Sequence, residues 1–259
     1  MSFTLAVTGK GGVGKTTLAA LMVRRLVEQR RTPVLAVDAD PNTCLDAVLG
    51  VKADCTVGSV REETKRIVQE QSAGGMGKQE LLDLKIQEAI VEADNFDLIA
   101  MGRPEGPGCY CYANNVLRGV LARLASHYPS VVIDNEAGLE NLSRRTTQAV
   151  NYLIFVTDAS ARGLTTARRL YDLSLEMEVK ADAMGVVINR VRDPECLERA
   201  RSIFSGTPVG VLGGLPEDEE VARRDAMGES VFGLSTENPV YQSVCGILEK
   251  VATAKTKAA

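Results

Sequence analysis

Short apolar runs rich in Val, Ile and Leu recur along the chain, each followed by a longer amphipathic stretch. Runs of about four residues suit strands buried on both faces, whereas apolar positions recurring every three to four residues suit helices. On this pattern strands are predicted at Leu5 to Thr8, Val34 to Val37, Leu98 to Met101, Val131 to Ile133, Leu153 to Val156, Val186 to Ile188 and Val209 to Leu212. Helices are predicted at Thr16 to Gln29, Gln79 to Ala93, Asn114 to Ala125, Leu142 to Ala149, Thr165 to Glu178, Pro194 to Ser202 and Pro239 to Thr253. Alternation of this kind implies an α/β fold: a doubly wound, mostly parallel sheet with helices on both faces. No repeat or linker divides the chain, so residues 1–259 are expected to form a single domain. Val51 to Met76 breaks the pattern with a charged run, Arg61 to Glu70, and a glycine cluster; it reads as a mobile connection. The lysine-dotted end from Lys250 is expected to fray.

Between the first strand and the first helix lies Gly9-Lys10-Gly11-Gly12-Val13-Gly14-Lys15-Thr16-Thr17. Gly9, Gly14, Lys15 and Thr16 fit the G-x-x-x-x-G-K-[ST] phosphate loop. In such a loop backbone N–H groups surround the phosphates, the lysine adds positive charge and the hydroxyl ligates Mg²⁺. The following helix turns its positive end to the same anion. Gly9, Gly11 and Gly14 also spell G-x-G-x-x-G, with Asp38 where a dinucleotide fold places its ribose-binding acid. The Gly-Lys-Thr-Thr ending decides for the phosphate loop, since a pyrophosphate bridging two nucleosides needs neither the lysine nor the hydroxyl. Lys10 is surplus to the cradle and is expected to serve another phosphate.

Composition narrows the setting. A net charge of −4 and a pI near 5.3 argue against a general nucleic-acid coat. No run reaches the roughly 18 to 20 apolar residues of a membrane span, and no charged-apolar-small leader opens the sequence. The expectation is a cytoplasmic protein that binds neither nucleic acid nor membrane. Six cysteines do not make a disulfide scaffold at this length. Cys44, Cys55, Cys196 and Cys245 stand singly, as ordinary thiols. The one histidine, His127, reads as a solvated helix end, which leaves sulfur and carboxylate as metal ligands.

In a doubly wound sheet the carboxyl ends of the strands converge on the ligand. Three ends are chemically loaded: Asp38-Ala39-Asp40-Pro41-Asn42, Asp134-Asn135-Glu136-Ala137-Gly138 and Asn189-Arg190. One aspartate can hold Mg²⁺ through its water shell and another can orient the attacking water. Gly138 would let a backbone N–H approach the γ-phosphate. Guanine-reading N-K-x-D is absent, because Asn189-Arg190-Val191-Arg192 puts a cation in place of the acid; ATP is therefore favoured over GTP.

The loop, with Asp38-Ala39-Asp40 and Asp134 to Gly138, resembles the deviant Walker A ATPases, the group of the nitrogenase iron protein, MinD, ParA and the arsenical-pump ATPase. The resemblance implies a homodimer closing over two ATP or ADP molecules with Mg²⁺. It implies that Lys10 reaches into the partner's site, Lys15 holds the phosphates, Thr16 ligates Mg²⁺, Asp40 orients water and Asn189 meets the adenine. The segment Asp134-Asn135-Glu136 departs from the commoner Asp-Thr-x-x-Gly form, leaving the role of Glu136 open.

Cys109-Tyr110-Cys111 adds a second constellation. Thiols at i and i+2 share one side of an extended chain, which suits a shared metal better than a mutual disulfide. Two ligands are half a tetrahedral shell, and a two-fold axis would supply the other two, an interfacial site of four thiolates. With the loop, Cys109 to Asn115 resembles the CooC-type ATPases that assist nickel insertion into carbon monoxide dehydrogenase. This implies Ni²⁺ or Zn²⁺ at the interface and carbon monoxide dehydrogenase or a related nickel enzyme as client. The alternatives are an iron–sulfur cluster carrier or reductase using the same thiolates, and a MinD/ParA-type positioning ATPase, which the acidic pI disfavours.

Overall fold

The computed structural model describes residues 2–69, 77–103, 119, 121, 123–137 and 150–258. Strand β1 (Phe3–Gly9) leads through the phosphate loop into α1 (Lys15–Glu28), followed by β2 (Val34–Ala39), α2 (Leu45–Leu49), α3 (Val57–Gln69) and α4 (Lys78–Glu88). A hairpin of β3 (Val91–Ala93) and β4 (Phe96–Ala100) precedes β5 (Ser130–Asn135), β6 (Val150–Asp158) and α5 (Ala161–Glu176). Then come β7 (Ala181–Val191), α6 (Glu195–Ile203), β8 (Gly210–Pro216), α7 (Glu219–Met227) and α8 (Pro239–Ala258).

The eight strands lie in the order β3-β4-β2-β5-β1-β6-β7-β8. All neighbours are parallel except β3 and β4. The chain winds outward from β1 to one edge, returns to β5, and then fills the other side through β6, β7 and β8. That reversal beside β1 opens a crevice at the carboxyl ends of the central strands. Period-two alternation splits the strands between two cores. Leu5, Val7, Ala36, Val132 and Ile154 face α1 and α8, while Ala6, Leu35, Val37, Ile133 and Phe155 face α3, α4, α5 and α6. On α1, Leu18, Leu21, Met22 and Leu26 are fully buried at helical spacing. Truncating one such side chain to alanine costs about 2–5 kcal/mol, so the loop's exit is anchored by packing as well as by its own bonds.

All seven predicted strands form, and four differences are instructive. The 51–76 segment holds helix α3, and a mobile connection is not what residues 57–69 form. Val57, Val60 and Thr64 are buried at helical spacing beneath the charged run, and Thr56 and Ser59 exchange N–H to hydroxyl bonds at its start. The predicted helix to Ala93 ends at Glu88, because Asn95 takes a left-handed turn (φ 71°) that folds Val91–Ala93 against β4. Helix α8 runs to Ala258, past the expected fraying point. Helix α2, with five residues, is too short to show a periodicity in sequence, and α7 buries none of its residues, so no inward stripe marks it. The predicted helix 142–149 and most of 114–125 lie outside the described residues. His127 ends a short 3₁₀ turn in solvent, as expected.

A candidate nucleotide site

The loop from Gly9 to Thr17 joins the centre of the sheet to α1, and its glycines answer to geometry. Gly14 is left-handed (φ 91°), and a Cβ there would sit 2.2 Å from Asn189 Nδ2. Gly12 is also left-handed (φ 75°), a conformation that favours glycine. At Gly9 a Cβ would meet the Val156 carbonyl oxygen at 2.3 Å, so β6 closes on the loop from behind. Gly11 only approaches Ala137, at 3.9 Å. Val13 is buried and plugs the loop onto the core. Lys15 folds inward, its Nζ donating to the Lys10 carbonyl at 3.2 Å. Gly14, Lys15, Thr16 and Thr17 then line a cavity of about 640 Å³.

Asp38 and Asp134 end adjacent strands and stand opposite one another in the β2–β5 register. Asp38 is fully buried. Its Oδ1 accepts from Asp40 N–H (3.0 Å), and its Oδ2 accepts from Cys44 and Leu45 N–H (2.8 and 2.9 Å). Burial still outweighs these three donors and lifts its pKa to about 6. Asp134 is 2% exposed; the Thr16 hydroxyl bonds its carboxylate, but its Oδ1 is buried with no hydrogen-bond partner. Burial raises its pKa to about 7, against the pull of Thr16 and of the Lys15 charge. A buried carboxylate oxygen left unpaired beside a threonine hydroxyl fits a hydrated divalent cation. Beyond Asp38, Asp40 uses Oδ1 to accept from Asn42 N–H and Nδ2 (2.8 and 2.9 Å), which curls the 40–43 loop on itself.

The other wall of the cavity was only partly expected. Asn189 lines it, but its Nδ2 donates to the Val13 carbonyl (2.8 Å) and its Oδ1 accepts from Arg190 N–H, so the carboxamide braces the phosphate loop against β7. Arg192 and Glu217 form an ion pair across β7 and β8 at the cavity edge. Pro216, Asp218 and Val221, from the end of β8 and the start of α7, complete the wall. Asp218 also caps α7 by accepting from Val221 N–H. The cue lay in Gly213-Gly214-Leu215-Pro216-Glu217-Asp218, a strand end like the other three, hidden because the predicted strand stopped at Leu212.

Lys10 is exposed and lines a separate depression of about 420 Å³ with Arg162, Thr165, Thr166 and Arg169. Cys109, Cys111 and Gly138 lie outside the described residues. Among the described residues no group of three or more His, Cys, Asp or Glu is placed to hold a metal. Cys196 and Cys245 are buried, Cys44 is exposed at the cavity and Cys55 is intermediate. No helix of the described residues is long and apolar enough to cross a membrane.

A phosphate loop at the switch point of a parallel sheet, with buried aspartates ending the neighbouring strands, defines a P-loop nucleotide-binding protein. The chain belongs to the CobQ/CobB/MinD/ParA nucleotide-binding family, whose profile matches residues 4–231. It is 45% identical over 252 residues to an uncharacterised ATP-binding protein of Methanocaldococcus jannaschii, covering 97% of this chain and 99% of that one. The carbon monoxide dehydrogenase accessory protein CooC of Rhodospirillum rubrum is more distant, 28% identical with 95% and 97% covered. Among solved structures, the septum site-determining protein MinD of Pyrococcus horikoshii with Mg-ADP superposes with a TM-score of 0.72. It has 22% identity and covers 100% of this chain and 99% of its own, a likeness of fold.

Proposed function

We propose that the protein is a dimeric ATPase whose hydrolysis cycle acts on a thiolate metal site, in support of nickel insertion into carbon monoxide dehydrogenase or a related nickel–iron–sulfur enzyme. The observation that carries the ATPase part is that Lys15 and Thr16 line one cavity and both act on the buried carboxylate of Asp134, whose Oδ1 has no hydrogen-bond partner. Lys15 holds the phosphates, and Thr16 and Asp134 would hold Mg²⁺, which when bound shields the charge that develops on the phosphates. Asp40 is the water-orienting carboxylate, and Gly138 is the position that senses the γ-phosphate. Lys10 lines a depression outside its own cradle, which supports its service to the nucleotide of a second subunit, as in deviant Walker A ATPases. The metal part rests on Cys109-Tyr110-Cys111 and on the likeness to CooC.

Two measurements test this reading. Lys15→Ala abolishes ATP binding in calorimetry, whereas Lys10→Ala keeps binding and stops phosphate release; hydrolysis at the parent rate in Lys10→Ala removes the intermolecular role. Anaerobic titration with Ni²⁺ or Zn²⁺ gives about half an equivalent per chain, as a tetrathiolate shared by two subunits requires. Cys109→Ser or Cys111→Ser abolishes this binding and Cys196→Ser does not. A brown, iron-loaded protein assigns the same thiolates to a cluster instead, and a full equivalent per chain, insensitive to these changes, rejects the interfacial site.

A further inference from the structure

Asp40 follows β2 directly and is only half-buried, so packing does not fix its carboxylate. A group that aims a water at phosphorus must be held to a narrow range of angles. Here a relay of hydrogen bonds holds it. Asn42 donates to Asp40 Oδ1 from both its backbone N–H and Nδ2 (2.8 and 2.9 Å), and Asn42 Oδ1 accepts in turn from Arg103 Nη2. Among the described residues nothing bonds Asp40 Oδ2, which leaves that oxygen open to a water. The relay has a direction. A guanidinium offers donors and no acceptor, so Arg103 can face only the oxygen of the Asn42 amide, and the amide nitrogen is thereby turned to Asp40. Reversed, the amide would set its oxygen against the carboxylate.

The fold places Arg103 with care. Met101 is buried; its N–H donates to the Asp38 carbonyl (2.8 Å) and its carbonyl accepts from Gly58 N–H (2.9 Å). Gly102 is left-handed (φ 61°), and a Cβ there would lie 2.3 Å from Thr56 Oγ1, so the chain turns on a glycine and delivers Arg103 to Asn42. The loop that receives it is strained. Thr43 takes φ 49°, rare for a β-branched residue, while its N–H donates to the Asp40 carbonyl at 3.2 Å. Strain of this kind persists only where the surroundings hold it, and it gathers at functional sites.

We infer that Arg103 is a positioning residue for ATP hydrolysis: through the Asn42 carboxamide it fixes Asp40 Oδ1 and so keeps Oδ2 aimed at the attacking water. The inference rests on the water-orienting role proposed for Asp40 above. Neither Arg103 nor Asn42 lines the nucleotide cavity, so the relay acts on turnover and leaves binding alone.

The test follows Mg-ATP hydrolysis by the full-length protein with kcat and KM separated, beside calorimetric affinity for Mg-ADP. Arg103→Met keeps the reach of the side chain and removes its donors; kcat should fall about 10- to 100-fold, while KM and Mg-ADP affinity stay within about twofold of the parent. Arg103→Lys, still a donor without an acceptor, should restore most of the rate, and Arg103→Glu should be slower than Arg103→Met. Asn42→Ala should repeat the loss. Combined with Arg103→Met it should be no slower than the slower single variant, because one relay is broken once. On an Asp40→Asn background Arg103→Met should cost nothing more. A parent-like kcat in Arg103→Met overturns the inference, as do losses that multiply in either combination. A lowered urea midpoint with equal losses of kcat and Mg-ADP affinity assigns the relay to folding of the loop and overturns it too. If the parent releases no phosphate, or Asp40→Asn releases it at the parent rate, the ATPase or water-orienting reading fails first and the role of Arg103 falls with it.

Discussion

Asp38 and Asp134 are the same residue type at the same level of neighbouring strands, both buried, yet they do opposite things. Asp38 spends both oxygens on backbone N–H groups of the 40–45 loop, whereas Asp134 keeps Oδ1 unpaired beside Thr16. The first organises the backbone of its own loop; the second leaves one oxygen without a protein partner. A buried unsatisfied oxygen is a cost that a stability-optimised fold would remove, and such costs gather at functional sites. Burial dominates the electrostatics of both, yet pushes the less satisfied one higher, to about 7 against about 6.

The sharpest way to break this pair is Asp134→Asn. Affinity for Mg-nucleotide should fall roughly 10- to 100-fold, as when an outer-shell ligand of a metal is lost. The nucleotide-free protein should meanwhile gain stability on the order of 1–3 kcal/mol at pH 8, since a buried charge is removed. Calorimetry with and without Mg²⁺, beside urea denaturation, reads both; a variant that binds Mg-nucleotide like the parent refutes the assignment. Asp38→Ala should behave differently. It should cost about 1–3 kcal/mol at pH 6, because three backbone donors lose their acceptor, and it should open the 40–45 loop to proteolysis. A parent-like denaturation curve would show that the loop does not depend on this carboxylate.

A smaller effect follows from the two raised pKa values. Each carboxyl binds its proton more tightly folded than unfolded, so between about pH 4 and pH 7 the folded state holds more protons and stability falls as pH rises. The nucleotide-free protein should therefore lose stability from these groups on going from pH 4 to pH 7, with a slope of up to about 1.4 kcal/mol per pH unit for each. Asp134→Asn should show the shallower fall, and equal slopes in parent and variant would contradict burial as the cause. The smallest effect expected is from Cys44→Ala. Asp38 takes the Cys44 backbone N–H and the thiol is exposed, so stability should shift by no more than about 0.5 kcal/mol. A larger loss would mean that the side chain, not only the backbone, holds the loop.

Much of this frame was legible beforehand. Every predicted strand formed, because β-branched apolar runs of three or four residues between turns are too short for buried helices and suit buried strands. Thr165–Glu178 was read late by one turn, since Ala161 to Leu164 carry no periodic signal, although Ser160 caps the helix by accepting from Gly163 N–H. Helix α3 was missed because its exposed face is so charged that only three inward residues mark it. The β8 end was missed because the cavity wall at Pro216 to Asp218 has no motif of its own.

The amino-acid order alone determined what depends on neighbours in the chain: the phosphate loop, whose Gly9, Gly12 and Gly14 are demanded by backbone angles or close approach, and the alternation of strands with helices. It also named both aspartates as strand ends. Only the tertiary structure decided which of them would be satisfied, since that turns on N–H groups curling back from residues 40–45 and on a hydroxyl from α1. It likewise gathered Lys10 with Arg162 and Arg169, about 150 residues away in the chain, and braced the loop with Asn189 from β7. Partnership between charges is a property of distance in space. Sequence encodes such distances only through the packing of the whole sheet.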